Sequence, residues 1–475
     1  MDTHDTMDLS YRGKEAPYVN LVIAFDLGTT HLKWIAIDPA SGRRVLDGQI
    51  AAGTVTRGIR SEQNPQAIWS QVQTVLEQAS QSARISRISF SAAMHSFLVV
   101  TPEGEPVTRS WTWIDKRSLA TAKSLRLDKL SSLLRKDTGV PVHAMSPLVK
   151  WLYIRQAMGQ CRPVTLKDYL VFRLTGQWVT DYSTAATTGF LGVDGVWLPR
   201  ALELSGLRVD QLPTLHDMAW TLPASEYDGE VVLGANDAAC AHLHLKIPQD
   251  GSIGVLAMGT SGALRTTWQH PTDNEELFSY MLGPTRGHLV GSAFSNVGNI
   301  LVWLAGVFSM DIDAVIAEGI GAIRRRDALP LALPYWFGER SPWWRDDLSG
   351  AWLNIAPQHG RAQLIGSALL SMTASFWHGL KALEHIGAPL TELRGGSGLL
   401  ENSSLAQWMA DALGHDLVLH DSEDASLLGA LNLAGGYPQE PVGPRAHYAP
   451  HDGSLQSLLE DTWHRIDETI NESHR

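Results

Sequence analysis

The sequence predicts an α/β protein built as two similar lobes. Three observations carry this. The chain has 475 residues, 44% of them hydrophobic, enough for two or more cores. Apolar runs with strand character alternate with stretches at helical spacing. And one short pattern occurs twice: FDLGTTHLKW, Phe25–Trp34, and AMGTSGALRT, Ala257–Thr266, each set Gly-Thr-(Thr/Ser) at a turn between apolar strands.

In chain order, Val19–Asp38 reads as a β-hairpin with its tip at Gly28–Thr30. Asn64–Ser82 carries Ile68, Val72, Val75, Leu76 and Ala79 at helical spacing. Ile85–Ala92 and Phe97–Thr101 are β-rich. Helices are expected over Leu119–Lys136, Pro147–Met158 and Thr165–Leu174, the last stopped at Gly176. A strand over Gly229–Gly234 leads into a helix over Ala235–Leu245. The pattern then restarts: strand Gly251–Met258, turn Gly259–Gly262, strand Ala263–Trp268. Helices follow at Gly298–Phe308, Gly360–Ile386, Leu405–Leu413 and Ser426–Ala434. Asp26 and Ala257 fall at the same offset in the two hairpins, so only the first copy carries the acid. A restart of this kind is what an ancient duplication leaves; chance similarity of two Gly-Thr turns is the alternative.

Lys and Arg number 38 against 50 Asp and Glu, a net charge of −12. Without a basic block to offset this, nucleic acid and anionic membranes are not expected partners. Cys161 and Cys240 stand apart and outside any CxxC, which fits a reducing cytosol rather than a disulfide framework or structural zinc site. The first residues, MDTHDTMDLSYRGKEAP, are polar and lack the apolar stretch of a secretory signal, so Met1–Pro17 reads as a loose tail. The most apolar stretch, Ile300–Met310, is too short to span a bilayer.

The hairpin tips suit phosphate. Glycine lets backbone N–H groups approach a polyphosphate without a Cβ in the way, and Thr or Ser hydroxyls add donors. Gly28, Thr29 and Thr30 form one such tip; Gly259, Thr260, Ser261 and Gly262 form the other. Asp26 would not touch phosphate directly but can hold a hydrated Mg²⁺. A third cluster, LRGGSGLLEN, places Gly395, Gly396, Ser397 and Gly398 before a helix, where a nucleotide could lie on the backbone. Neither GxxxxGK[ST] nor a strand-turn-helix GxGxxG occurs, which excludes a P-loop and argues against a Rossmann site.

Asp237, in LGANDAAC, follows a strand at a helix start among small residues. A carboxylate there can accept a hydroxyl proton during phosphoryl transfer, although the helix dipole alone also favours an acid at that place. Met94 and His95 follow the Ile85–Ala92 strand. WTWIDKR, Trp111–Arg117, suits polyol recognition or plain packing. PYWFGERSPWW, Pro334–Trp344, reads as a rigid loop held by a Glu339–Arg340 pair.

Taken in order, DLGTT, SAAMHS, WTWIDKR, GVPVHAMSPLVKW, LKDYLVFRLTG, TDYSTAATTG, GANDAA, MGTSGALRT, PYWFGERSPWW, RGGSG and SEDASLLGAL resemble the FGGY carbohydrate kinases, from about residue 21 to residue 436. The resemblance implies two RNase-H-like lobes of the actin/hexokinase/Hsp70 ATPase type with ATP and Mg²⁺ in a central cleft. It divides the chain into the tail at 1–17, a sugar-binding lobe at 18–248 and an ATP-binding lobe at 249–475. It implies Asp237 as general base, Asp26 on the metal side, the two Gly-Thr turns on the ATP phosphates and the GGSG cluster near the adenosine. Within the family, ISFSAAMHS, HAMSPL, TDYSTAATTG and GTSGALRT look most like the gluconate kinase branch. The implied reaction is then phosphorylation of D-gluconate on its terminal hydroxyl, with Met94, His95, Asp237 and Arg265 at the substrate. A substrate carboxylate calls for a donor or cation, for which Arg265, His95, Lys150 and Arg117 are the candidates. Xylulokinases share the Met-His pair but usually follow it with glycine, where this chain has Ser96. A xylulose or polyol kinase is the neighbouring reading, and a non-catalytic ATP-dependent protein on the same fold the more distant one. The family is often dimeric; no surface in the sequence announces an interface.

Overall fold

The computed structural model describes residues 20–81, 83–396, 398–420, 424–436, 443–451 and 453–472. The tail at 1–17 and Ser397 lie outside the described residues. Two large mixed sheets organise the chain. In the first, strands Arg43–Ala51, His31–Asp38 and Asn20–Leu27 form an antiparallel meander. Arg84–Ala92 and then Glu230–Asn236 add in parallel, and Thr221–Pro223 closes the edge antiparallel.

The second sheet repeats this order strand for strand. Gly287–Phe294, Gly262–Trp268 and Ile253–Met258 form the meander, Glu392–Gly395 and Asp416–Leu419 add in parallel, and Ala446–Tyr448 closes antiparallel. Phe278–Gly283 is an extra strand beyond the meander. The duplication expected from two hairpins therefore extends to six strands in each half.

Local chemistry explains the supporting helices. Pro65–Ser80 begins where the Asn64 side chain accepts from Gln66 and Ala67 N–H groups and proline takes the first helical position; its buried face is Ile68, Trp69, Val72, Val75, Leu76 and Ala79. These residues pack on Leu21, Ile23, Phe25, Ile88 and Phe90 of the first sheet. The 25-residue helix Arg361–His385 plays that part for the second sheet, with Phe376, Leu380 and Leu383 in its core.

The helix Ala425–Leu433 comes from the second half but packs on the first. It shares a core with Val22, Ala24, Ala238 and Cys240. The approach is so close that a Cβ on Gly429 would lie 1.9 Å from the Cys240 carbonyl oxygen.

Two corrections concern secondary structure. The helix expected over Leu119–Lys136 is two helices, Leu119–Arg126 and Leu130–Thr138. Asp128 breaks it: its side chain accepts from Leu130 N at 2.9 Å, the local alternative to helix that Asp favours. The paired strands Phe278–Gly283 and Gly287–Phe294 gave no period-2 signal because nearly every position is buried. Among the described residues, no single helix is long and apolar enough to cross a membrane.

Candidate active site

The first hairpin ends on Asp26. Its strand pairs Asp26 with Lys33 on one side and Ser91 on the other. Asp26 Oδ2 accepts from Ser426 Oγ at 3.0 Å, and Oδ1 is buried without a hydrogen-bond partner. Burial pushes this carboxyl above its ordinary value, against the pull of the Ser91 and Ser426 hydroxyls and the Lys33 ammonium. Lys33 itself pairs with Asp424 at 2.9 Å. The tip beyond Asp26 is closed by Gly28 N–H donating to the His31 carbonyl at 3.1 Å.

The second hairpin is built into a glycine junction. Gly259 N–H donates to the Ser261 carbonyl at 2.9 Å, while the Gly259 and Thr260 carbonyls accept from Gly298 and Asn299 N–H groups at the start of the Gly298–Phe308 helix. A Cβ on Gly298 would stand 2.5 Å from Gly259 O, and one on Gly398 (φ +87°) 2.7 Å from Met258 O. Glycine is required at both places by close approach. The GGSG segment is therefore packed against the second Gly-Thr turn. Gly395 ends the Glu392–Gly395 strand in the sheet, and Gly396 leads out of it. Beside this junction runs a crevice of about 600 Å³ lined by Val302, Ala305, Met310, Ile312, Ile316 and Leu399.

Asp237 opens the helix Asp237–His244, whose cap is Asn236: its Oδ1 accepts from Ala239 N at 2.9 Å. Asp237 faces a cavity of about 170 Å³ shared with Met94, His95, Trp113, Arg265, Tyr280 and Arg340. Burial pushes Asp237 up to about 6, with Arg265 pulling it down and Asp26 adding to the rise. His95 stands in the left-handed region at φ 62°, a strained conformation for a side chain of its size. Its Nδ1 lies 2.9 Å from the Thr187 carbonyl, so that nitrogen carries the proton, and Nε2 accepts from Tyr280 Oη at 3.3 Å. Burial and the Lys150 charge push His95 down to about 3, so the ring is neutral.

Comparison with known proteins gives this geometry a lineage. The N-terminal domain of the FGGY family of carbohydrate kinases matches residues 21–234 and its C-terminal domain matches 254–436. The chain belongs to the FGGY family of carbohydrate kinases. It is 30% identical over 448 residues to a gluconokinase of Bacillus subtilis (strain 168), covering 87% of this chain and 86% of that one. Its fold matches structures of a xylulose kinase and a gluconate kinase from Lactobacillus acidophilus, each with TM-score 0.85 and 22% identity over 95% of this chain and 98% of the other.

In this FGGY kinase the sequence-derived residues fall in two places. Met94, His95, Asp237 and Arg265 share the cavity. Gly28, Thr29 and Thr30 form the first tip, and Gly259, Thr260, Ser261 and Gly262 the second, whose Ser261 and Gly262 also line the cavity. Two other candidates for a substrate carboxylate lie elsewhere. Arg117 is spent on Asp115 and Glu62 over the face of Trp111. Lys150 is fully buried and donates to the His95 and Thr112 carbonyls at 2.9 and 2.8 Å, bracing the strained histidine from behind.

The reading of Glu339 and Arg340 as a mutual pair needs correction. Glu339 accepts from Ser295 N, Asn296 Nδ2 and the Arg340 backbone, whereas the Arg340 guanidinium donates to Phe294 O and Ser295 Oγ and lies 4.8 Å from the Trp113 ring centroid, on the cavity wall. Sequence reasoning named Arg340 but missed its place on the cavity wall, and it missed Tyr280 and Ser426 altogether. PYWFGERSPWW and SEDASLLGAL held two of the three; Tyr280 sits in a strand that carried no signal.

A divalent ion fits the Asp26 end of the cleft. Among the described residues no three His, Cys, Asp or Glu side chains cluster as a preformed cage. Mg²⁺ does not require one, because it keeps waters and phosphate oxygens around one or two carboxylates. Asp26, with its buried and unpartnered Oδ1, would supply that carboxylate.

Proposed function

We propose that this kinase transfers the γ-phosphoryl group of ATP to the terminal hydroxyl of D-gluconate, giving 6-phospho-D-gluconate. One observation carries the reading: Arg265 and Arg340 line the same small cavity as Asp237, which is its one acid among the described residues. Arg265 Nε is buried without a hydrogen-bond partner. A buried donor left without an acceptor is costly, and an acidic substrate that accepts from it relieves that cost. The similarity to a gluconokinase supports the same substrate class.

The chain's own groups divide the work. Arg265 holds the substrate carboxylate, and neutral His95, braced by Thr187 and Tyr280, offers fixed hydrogen-bonding groups to the polyol chain. Asp237 accepts the proton of the terminal hydroxyl as its oxygen attacks phosphorus, which makes its elevated proton affinity useful rather than incidental. The turns at Gly28–Thr30 and Gly259–Gly262 direct N–H and hydroxyl groups at the phosphates, and the crevice beside Gly398 takes the adenosine. Mg²⁺ bound through Asp26 supplies charge neutralisation on the phosphates. Enclosure of the cavity keeps water from competing for the phosphoryl group.

The test is ADP release measured over a panel of aldonates, ketoses and polyols. Gluconate should give the highest kcat/KM. Higher values for xylulose or another neutral sugar would replace gluconate as the substrate, and ADP release that no sugar stimulates would remove the kinase reaction itself.

A further inference from the structure

We propose that Lys167 is a positioning residue for phosphoryl transfer: it pins the strand bulge and the helix cap that together aim Asp237 into the cleft. This rests on the reading of Asp237 as general base. Strand Glu230–Asn236 runs parallel to Arg84–Ala92, but the register slips. Val232 stands opposite Ser89 and Ala235 opposite Ser91, so three steps on one strand meet two on the other. The extra residue bulges at Leu233–Gly234, and a bulge bends its strand and re-aims the side chains beyond it. Gly234 has φ +70°, and a Cβ there would lie 1.8 Å from the Phe90 carbonyl oxygen, so the bulge depends on glycine.

The bulge leaves the Leu233 carbonyl to Lys167, whose Nζ donates to it at 3.2 Å. The same ammonium lies 2.9 Å from Asp181 Oδ2 and 3.9 Å from Asp168 Oδ1, and all three side chains are buried. Asp181 Oδ1 caps the Tyr182–Ala186 helix through Thr184 N at 3.1 Å and accepts from Ser183 Oγ. Ser183 Oγ accepts in turn from Asn236 N at 3.2 Å, and Ser183 O from Asn236 Nδ2 at 2.8 Å. Asn236 is the cap of the helix that Asp237 begins. Lys167 therefore reaches the residues before Asp237 by two routes, through the bulge and through Asp181 and Ser183.

Stability does not explain such a pair. Burying two opposite charges costs several kcal/mol per ion, and apolar replacements of similar volume are often as stable. What a bidentate anchor of this kind provides is direction, and misplacing a reacting group by about 1 Å can cost on the order of a hundredfold in rate.

The test removes both charges together, Lys167→Met with Asp181→Asn, so that neither is left without its 2.9 Å partner, and Asp168 keeps the hydrogen bond it accepts from Thr165 N. The doubly substituted kinase should fold and bind ATP as the parent does, keep its KM for the sugar acid within a few fold, and lose about a hundredfold in kcat. Placed in an Asp237→Asn background, the same two changes should cost little more, because they act through that carboxylate. A loss of equal size in both backgrounds, or undiminished kcat in the Asp237 background, overturns the proposal. Should the charge-free pair fail to fold, Ser183→Ala removes the hydroxyl link of the second route and leaves the bond from Asn236 Nδ2 to the Ser183 carbonyl, and the same non-additivity is expected with a smaller loss; a fully additive loss overturns it. If Asp237→Asn alone keeps parental turnover, the base assignment falls, an outcome distinct from an inactive Asp237→Asn beside a fully active Lys167→Met/Asp181→Asn kinase.

Discussion

Ser426 Oγ donates a 3.0 Å hydrogen bond to Asp26 Oδ2 across 400 residues of chain. Ser426 lies on the Ala425–Leu433 helix, which comes from the second half and packs on the first, so the proposed metal-side carboxylate is oriented by both. Asp26→Ala should raise the Mg²⁺ concentration for half-maximal turnover by about tenfold or more, since one anionic ligand is lost. Ser426→Ala should shift the same midpoint in the same direction by a smaller factor, because the carboxylate stays and only a hydrogen bond that orients it is lost. Mg²⁺ titrations of turnover measure both, and an unchanged midpoint in Asp26→Ala would take the metal away from that residue.

The acid limb of the pH profile should report Asp237. Its carboxyl is raised to about 6, chiefly by burial. Below that pH the group holds a proton and cannot accept another, so kcat/KM should fall about tenfold per unit as pH drops. Asp237→Asn should lower kcat by about 10²–10⁴-fold, abolish that limb and leave ATP affinity nearly unchanged. Rate measurements from pH 5 to 8, with a separate nucleotide-binding titration, decide it.

How much of this was legible in the sequence depends on where the information sits. The hairpins, Asp237 and the Gly298–Phe308 helix could be read because glycine turns, caps and amphipathic spacing are local. The six-strand repeat was visible only at the opening hairpin of each half; Gly287–Phe294 is buried at nearly every position, which erases periodicity, and the edge strands Thr221–Pro223 and Ala446–Tyr448 are too short to show one. Arg340 was noticed, but its direction was not, since Glu339 beside it suggested a partner that the backbone geometry does not provide. Tyr280 and Ser426 reach the site from the other half of the chain, and no local pattern encodes such a meeting.

Arg265 should decide substrate class. Removing it as Arg265→Leu should cut kcat/KM for gluconate by about tenfold to more than a hundredfold, the worth of a charge-assisted hydrogen bond of roughly 1.5–3 kcal/mol. Activity toward a neutral ketose or polyol, however slight in the parent, should not fall with it. Parallel losses on acidic and neutral substrates would show that Arg265 supports the cavity rather than reads a carboxylate.

Gly429 should be intolerant of the smallest side chain. A Cβ there would lie 1.9 Å from Cys240 O, and backbone atoms cannot rotate away as a side chain would. Gly429→Ala should therefore destabilise by about 1–3 kcal/mol or more through overpacking between the Ala425–Leu433 and Asp237–His244 helices. Gly306 offers the control, because it is helical and a Cβ there would meet nothing within 4 Å. Gly306→Ala should leave the thermal midpoint unchanged or raise it. Thermal unfolding of the two variants separates a special contact from the general effect of losing a glycine.

The last prediction concerns the close approach of His143 Nε2 to Asp346 Oδ2, 2.9 Å and almost wholly buried, which joins the two halves beside the loop that carries Arg340. Burial alone would push Asp346 up, but His143, Lys116 and Arg126 outweigh it and bring the carboxyl down from 3.8 to about 2. A folded-state value below the unfolded one means stability gained above pH 4 and lost as pH falls from there toward 2. The loss should be about 2 kcal/mol across that window. Asp346→Asn should flatten the dependence between pH 4 and 2. Lys116 and Arg126 act on the same carboxylate, so raising salt should weaken the effect only modestly for so buried a group. Urea unfolding of parent and variant at several pH values measures the slope directly, and a variant whose slope matches the parent would place the acid sensitivity on other carboxylates.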